Sequence, residues 1–227
     1  MPLERFPGKV ALMTGATQGI GLATARRVGQ EGGKVVISSR REENVKNAVL
    51  QLRSEGLEVS GIPCHQGKKD DRRKLIQFAF ERYGGFDSVF INAAVSIHTG
   101  NLLTVTPDTL QKTFDLNVKQ TFLFIQECVP LLEKRGSGSI VTTSTAGAND
   151  SGMAFLGKDI QLYMWSKFTL NGMCYNLSRD CFNRNVRLNA VLPGMIDTRF
   201  YHGGVDSNLR RRHLSLMGLE ETDLGAR

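Results

Sequence analysis

Apolar positions recur along the chain in two alternating rhythms. Residues 9–13 (KVALM) form a short apolar run closed by Thr14 and Gly15, as in a buried strand. Residues 19–31 then set Ile20, Ala23, Ala25 and Val28 on one side at helical spacing. Residues 34–38 (KVVIS) are β-branched and strand-like. A helix over 42–54 carries Val45, Ala48, Val49 and Leu52, a short strand follows at 59–63, and a helix over 71–83 carries Leu75, Ile76, Ala79 and Phe80. The next strand is predicted at 86–91. Past a loop at 93–105, Thr106, Pro107 and Asp108 place a proline at the first helical position. Helices over 107–115 and 117–134, a strand at 139–143, an irregular loop at 145–160, a long helix over 161–182 and a strand at 186–191 complete the pattern. Strands separated by helices predict one α/β domain over 1–227, a doubly wound parallel sheet with right-handed crossovers. No internal repeat or break in composition divides it.

Composition narrows the function classes. The chain has 227 residues, with 24 Gly and 6 Pro but no three-residue period, which excludes a collagenous chain and suits many tight turns. Hydrophobic content of 41% and charged content of 22% exclude a disordered one. No apolar run approaches the roughly 18 residues of a membrane span, and residues 1–7 (MPLERFP) lack the apolar core of a secretory signal. Cys64, Cys128, Cys174 and Cys181 have no CxxC spacing and no nearby His cluster. They read as reduced, buried thiols, with no metal site, in a reducing compartment such as the cytoplasm; a peroxisomal or mitochondrial location stays open. The net charge of +7 comes in short runs: Arg40-Arg41, Lys68-Lys69, Arg72-Arg73-Lys74 and Arg210-Arg211-Arg212. Without interleaved aromatic residues these argue against nucleic-acid binding and read as solvated faces, Arg40 excepted.

The chemistry begins at Thr14-Gly15-Ala16-Thr17-Gln18-Gly19-Ile20-Gly21, where the first strand becomes the first helix. Three glycines in eight residues fit plain turn chemistry. Placed between strand and helix, they also meet the demands of a pyrophosphate: a sharp turn, close backbone approach and free helix N–H groups. The end of the second strand then selects the nucleotide. A carboxylate there would bind the ribose 2′-OH of NAD. Ser38, Ser39, Arg40 and Arg41 instead offer a hydroxyl and a guanidinium, the partners a 2′-phosphate requires, so NADP(H) is expected. An arginine pair opening a helix with Glu42 and Glu43 is the plain alternative.

Tyr163 and Lys167 stand one turn apart at the start of the long helix. A tyrosine with a pKa near 10 becomes useful for proton transfer when an ammonium stabilises its phenolate and lowers that value. Alone, the pair fits a core tyrosine and a solvated lysine equally well. The ordered set is more specific. Thr14-Gly15, Gly19 and Gly21 are followed by Asn92-Ala93-Ala94, Asn117, Ser144, Tyr163, Lys167 and Pro193-Gly194. This set resembles the short-chain dehydrogenase/reductase family over about residues 8–225. Within it, residues 35–40, Glu55-Gly56-Leu57, Cys64-His65 and Asn92-Ala93-Ala94-Val95 are similar to a subgroup of NADPH-dependent carbonyl and retinal reductases.

The resemblance implies a nucleotide-binding part at about 8–145 and a catalytic helix with a substrate loop at about 146–227. It implies Tyr163 as proton donor to a carbonyl oxygen, Ser144 as the group orienting that oxygen, and Lys167 as the holder of the nicotinamide ribose. Asn117 would support a relaying water. Gly15, Thr17, Gln18, Gly19, Ile20, Gly21, Ser39, Arg40, Asn92, Ala93, Pro193, Gly194, Ile196 and Thr198 would line the cofactor. Met195, Phe200, Tyr201, Leu209, Leu214, Leu216 and Met217, with Phe155, Leu156 and His98, would wall a pocket for a hydrophobic carbonyl or alcohol substrate. A homodimer or homotetramer is also implied if the fold is complete.

Three departures stand out. Ser144 and Tyr163 are 19 positions apart, more than the family usually has, with the extra residues between Asn149 and Gln161, including Lys158 and Asp159. An aspartate usual near the adenine is replaced within Cys64-His65-Gln66-Gly67, where His65 reads more readily as a surface histidine than as an adenine contact. The sequence stops near the start of the helix before the family's last strand, so that strand is expected to be missing. A nucleotide-binding protein that no longer catalyses and acts through partner contacts is the rival reading.

Overall fold

The computed structural model describes residues 4–149, 160–194, 196, 198 and 200. Strands β1 (Val10–Thr14), β2 (Lys34–Ser39), β3 (Val59–Pro63), β4 (Ser88–Ile91), β5 (Gly138–Thr143) and β6 (Val186–Val191) form one wholly parallel sheet in the order β3-β2-β1-β4-β5-β6. Helices α1 (Gly19–Gln30), α2 (Glu42–Ser54), α3 (Lys69–Tyr83), α4 (Pro107–Phe114), α5 (Gln120–Lys134) and α6 (Gln161–Phe182) separate them. Parallel strands need long crossovers, and helices on both faces supply them.

The two-residue strand period divides β1 between two cores. Val10 and Leu12 join Leu75 and Ala79 of α3, Phe124 and Cys128 of α5, and Leu170 and Cys174 of α6. Ala11 and Met13 join Ala25 of α1 and Ala48 and Leu52 of α2. Leu12, Val36 and Ile140 are fully buried, each such side chain contributing roughly 1.5–3 kcal/mol. β1 lies between β2 and β4. The strand order reverses there, and a crevice opens beyond the carboxyl ends of the strands.

Several details differ from expectation. In α1, Ala23 is exposed, and Leu22 and Ile20 pack at the core edge instead. Phe80 is also partly exposed, at 39%, laid edge-on against Phe86 at 6.0 Å. Its ring reaches round the rim of the core rather than into it. Pro107 begins α4, with Thr106 Oγ1 accepting from Thr109 N at 3.3 Å. The helices read as ending at 115 and restarting at 117 are joined without a break through a wide π turn, Asp115–Lys119. The Cys residues are all free and buried, as expected. Burial pushes the Cys64 thiol up to about 12 and the Cys128 thiol well above its ordinary value. Among the described residues no helix is long and apolar enough to cross a membrane. The expectation that the family's last strand is missing concerns the chain past residue 200, outside the described residues.

Candidate active site

The glycine turn is shaped by close packing. Gly15 has φ +60°, and a Cβ there would lie 2.8 Å from Ala93 N. A Cβ on Gly21 would run into the Gly15 carbonyl and Ala16. Gly19 has φ +52° and lies under Thr198, whose Cγ2 a Cβ would meet at 3.0 Å. Asn92 Nδ2 donates to the Gly15 carbonyl at 2.8 Å, and Asn92 N and Ala93 N donate to Thr14 Oγ1 at 3.3 and 3.4 Å. The loops after β1 and β4 are thereby stitched together. The first turn of α1 holds no acidic residue and no side-chain cap. Its positive end is left open to an anionic group.

Above this floor runs a cavity of about 380 Å³. Gly15, Thr17, Gln18, Gly19, Ile20, Ser39, Arg40, Asn92, Ala93, Tyr163, Lys167 and Thr198 all line it. Gly21, Asn117, Ser144, Pro193, Gly194 and Ile196 do not. Gly21 lies beneath the turn. Pro193 takes part through its carbonyl, which accepts from Ala146 N at 2.9 Å. Ser39 Oγ is buried and makes no hydrogen bond, beside the exposed Arg40 and Arg41 and the half-buried Asn44. An orphaned hydroxyl next to two guanidiniums fits a phosphate monoester. The glycine cradle and this anion-binding end together fit a dinucleotide.

At the other end Tyr163 and Lys167 are both buried. Lys167 Nζ donates to the Thr143 carbonyl at 2.6 Å and lies 5.5 Å from the Tyr163 ring centroid. Burial lowers the Lys167 ammonium to about 8. The sequence predicts a lowered tyrosine, but burial raises Tyr163 above its ordinary value. The ammonium is committed to a carbonyl and faces the ring, so desolvation of the phenolate wins. Tyr163 is therefore a neutral acid at physiological pH in this state. Phe200 packs over it, ring centroids 5.0 Å apart.

Ser144 Oγ donates to the Lys167 carbonyl at 3.3 Å. Asn117, in the π turn, spends its side chain on structure. Its Oδ1 accepts from Val95 N at 2.9 Å, and its Nδ2 donates to Val95 O at 2.8 Å and to Ser166 Oγ at 3.0 Å. Ser166 Oγ in turn donates to the Tyr163 carbonyl at 2.7 Å. The amide ties the loop after β4 to the helix that carries Tyr163.

Further lining residues went unassigned in the sequence: Asn44, Gln66 and Thr143. Asn44 follows Arg40 by four positions, a helical spacing that could have flagged it. Thr143 precedes Ser144 directly. His65 is half-buried and lines the cavity, with Nδ1 accepting from Gly67 N at 3.1 Å. It is not an open-surface residue. Arg72 is likewise no part of a solvated basic face: it is 2% exposed and pairs with Glu127. Met195, Tyr201, Leu209, Leu214, Leu216, Met217, Phe155, Leu156, Lys158 and Asp159 fall outside the described residues.

Residues 9–206 match the family described as short chain dehydrogenase. The chain is 44% identical over 199 residues to Dehydrogenase/reductase SDR family member 4 of Sus scrofa, spanning 88% of this chain and 68% of that protein. It is 43% identical over 197 residues to the Homo sapiens protein of that name, spanning 87% and 69%. Among solved structures, a 3-ketoacyl-(acyl-carrier-protein) reductase from Brucella melitensis complexed with NADH superposes with a TM-score of 0.81 at 21% identity, over 92% of this chain and 83% of that one, a likeness of fold. An actinorhodin polyketide ketoreductase variant with NADPH gives 0.79 at 27% identity, over 95% and 78%. These likenesses establish that the chain belongs to the short-chain dehydrogenase/reductase family of oxidoreductases.

Proposed function

We propose that this chain is an NADPH-dependent reductase of hydrophobic aldehydes and ketones, able to run in reverse on the alcohols. One observation carries the reading: a single groove holds Tyr163 and Lys167 at one end and Ser39, Arg40 and Arg41 at the other. When bound, the reduced nicotinamide would supply a hydride to the carbonyl carbon. The chain's own residues do the rest. Gly15, Gly19 and the α1 N-terminus receive the pyrophosphate, and Ser39 Oγ with Arg40 takes the 2′-phosphate. Tyr163, kept protonated by burial, donates its proton to the carbonyl oxygen. The Lys167 ammonium stabilises the phenolate that remains once it turns from the Thr143 carbonyl toward the Tyr163 oxygen. Asn117 holds the Tyr163 helix and the Val95 loop at fixed separation. Ser144 orients the carbonyl oxygen once its hydroxyl turns from the Lys167 carbonyl. Phe200 offers an apolar wall above Tyr163, which supports a hydrophobic substrate, retinal-like compounds included. Trp165, Phe168, Tyr175 and Phe182 are exposed along α6, which supports association between copies of the chain.

A second reading, nucleotide binding without turnover, is favoured by Ser144 lying outside the cavity lining with its hydroxyl bonded to the Lys167 carbonyl. An NADPH-oxidation assay over a panel of apolar aldehydes and ketones separates the two. Turnover that disappears in Tyr163→Phe, with NADPH affinity kept, supports reduction. NADPH binding with no turnover on any substrate supports the second reading.

A further inference from the structure

The loop between β3 and α3 carries polar groups that the proposed reaction does not use. Gln66 is 3% exposed yet lines the groove. Its Oε1 accepts from Thr14 Oγ1 at 2.7 Å, and its Nε2 donates to Thr121 Oγ1, at the start of α5, at 3.3 Å. The amide thus bridges the end of β1 to α5 through the interior. The backbone around it is fixed as well. Arg72 Nη1 donates to the Gln66 carbonyl at 2.8 Å and to Gln120 Oε1 at 2.7 Å, while Asp71 Oδ2 accepts from His65 N at 2.9 Å. Arg72 is itself held by two bonds to Glu127, at 2.9 and 2.8 Å.

What the amide controls lies one bond further on. Having given its proton to Gln66, the Thr14 hydroxyl presents its lone pairs to the N–H groups of Asn92 and Ala93. Those two residues floor the groove between its phosphate end and its tyrosine end. An apolar side chain at 66 would leave the Thr14 proton buried without an acceptor. The hydroxyl would then rotate toward another acceptor, and its oxygen would no longer hold both amides.

We propose that Gln66 is a positioning residue for the nucleotide. Its amide orients the Thr14 hydroxyl, which fixes the Asn92–Ala93 backbone, and so sets how tightly the groove holds its dinucleotide. This rests on reading the groove as a nicotinamide-nucleotide site. Gln66→Met keeps the length of the side chain and removes both hydrogen bonds. On the full chain, three quantities are measured: the NADPH dissociation constant by fluorescence titration, KM and kcat for NADPH oxidation, and amide hydrogen exchange at Asn92 and Ala93 without nucleotide. The dissociation constant and the KM for NADPH are expected to rise about tenfold, the effect of one buried hydrogen bond. Turnover at saturation should change less than about twofold, and the two amides should exchange faster. Thr14→Val removes the same bond from the other side and should reproduce the rise, which keeps the test alive if the first variant does not fold. A lowered melting temperature with unchanged NADPH affinity and unchanged exchange would mean a purely structural role and would overturn the proposal. A wild-type chain that binds neither NADPH nor NADH overturns the nucleotide reading and this proposal with it. Equal binding by wild type and variant overturns the proposal alone.

Discussion

Replacing Lys167 by methionine should make the protein more stable and inactive. The ammonium is wholly buried, and burial takes it from 10.5 to about 8. That fall corresponds to about 3 kcal/mol of penalty for keeping the charge in the folded state at neutral pH. Methionine has similar length and carries no charge. It leaves the Thr143 carbonyl without its donor, which costs about 1 kcal/mol. The net gain is about 2 kcal/mol, or roughly 4–8 °C in Tm for a domain of this size. The pH dependence carries the sign. Below about 8 the lysine is charged in folded and unfolded chains alike, and the penalty is fully expressed. Between about 8 and 10.5 the folded chain sheds the proton first, so the wild type gains stability as pH rises, and the gap to Lys167→Met closes. Thermal unfolding of both proteins from pH 7 to 10.5, with NADPH-oxidation rates at pH 7, tests this. A variant that melts at or below the wild type at pH 7, or a gap that stays constant to 10.5, refutes the reasoning.

Three further outcomes follow from the geometry, besides the Tyr163→Phe result described above. Ser39→Asp places a carboxylate in the phosphate subsite and removes an orphaned hydroxyl. NADPH affinity should fall about 100-fold, given roughly 1.5–3 kcal/mol per charged hydrogen bond, and NADH should become the preferred nucleotide in paired titrations. Arg72→Leu strands the Glu127 carboxylate, the Gln120 amide and the Gln66 carbonyl. A loss of about 3 kcal/mol in urea unfolding is expected, and a change under 1 kcal/mol would contradict the buried network. The rate of reduction should fall as pH rises through about 8, where Lys167 loses its proton, while the buried Tyr163 stays protonated; a flat profile from pH 7 to 10 would refute this assignment.

Elements with a strong period were legible from sequence, and side chains that break the pattern were not. The strands announce themselves because parallel strands buried on both faces are continuous apolar runs, as at residues 34–38. Arg72 was illegible because a run of three basic residues at a helix start looks solvated; only the partner 55 residues away makes burial affordable. Ala23 fits the helical spacing, but the sheet meets α1 along Gly21 and Ala25 instead. In the site, Ser39, Arg40, Tyr163 and Lys167 line one groove. Ser144 and Asn117 are near yet turned to other partners, which motif spacing does not encode. The tyrosine's acidity was misjudged because a one-turn spacing says nothing about where the ammonium points.

The π turn at Asp115–Lys119 gives α4 and α5 one residue more than a regular helix through the same points would hold. Deleting a residue within α5 would rotate all that follows by about 100° and pull Phe124, Cys128 or Leu132 out of the core. A deletion inside the bulge closes it to an ordinary helical turn and leaves those apolar faces where they were. What disappears is the seat of Asn117, and with it the clasp on Val95 and Ser166. Evolutionary gain or loss of that single codon would therefore trade one working geometry for another without dismantling the architecture around it.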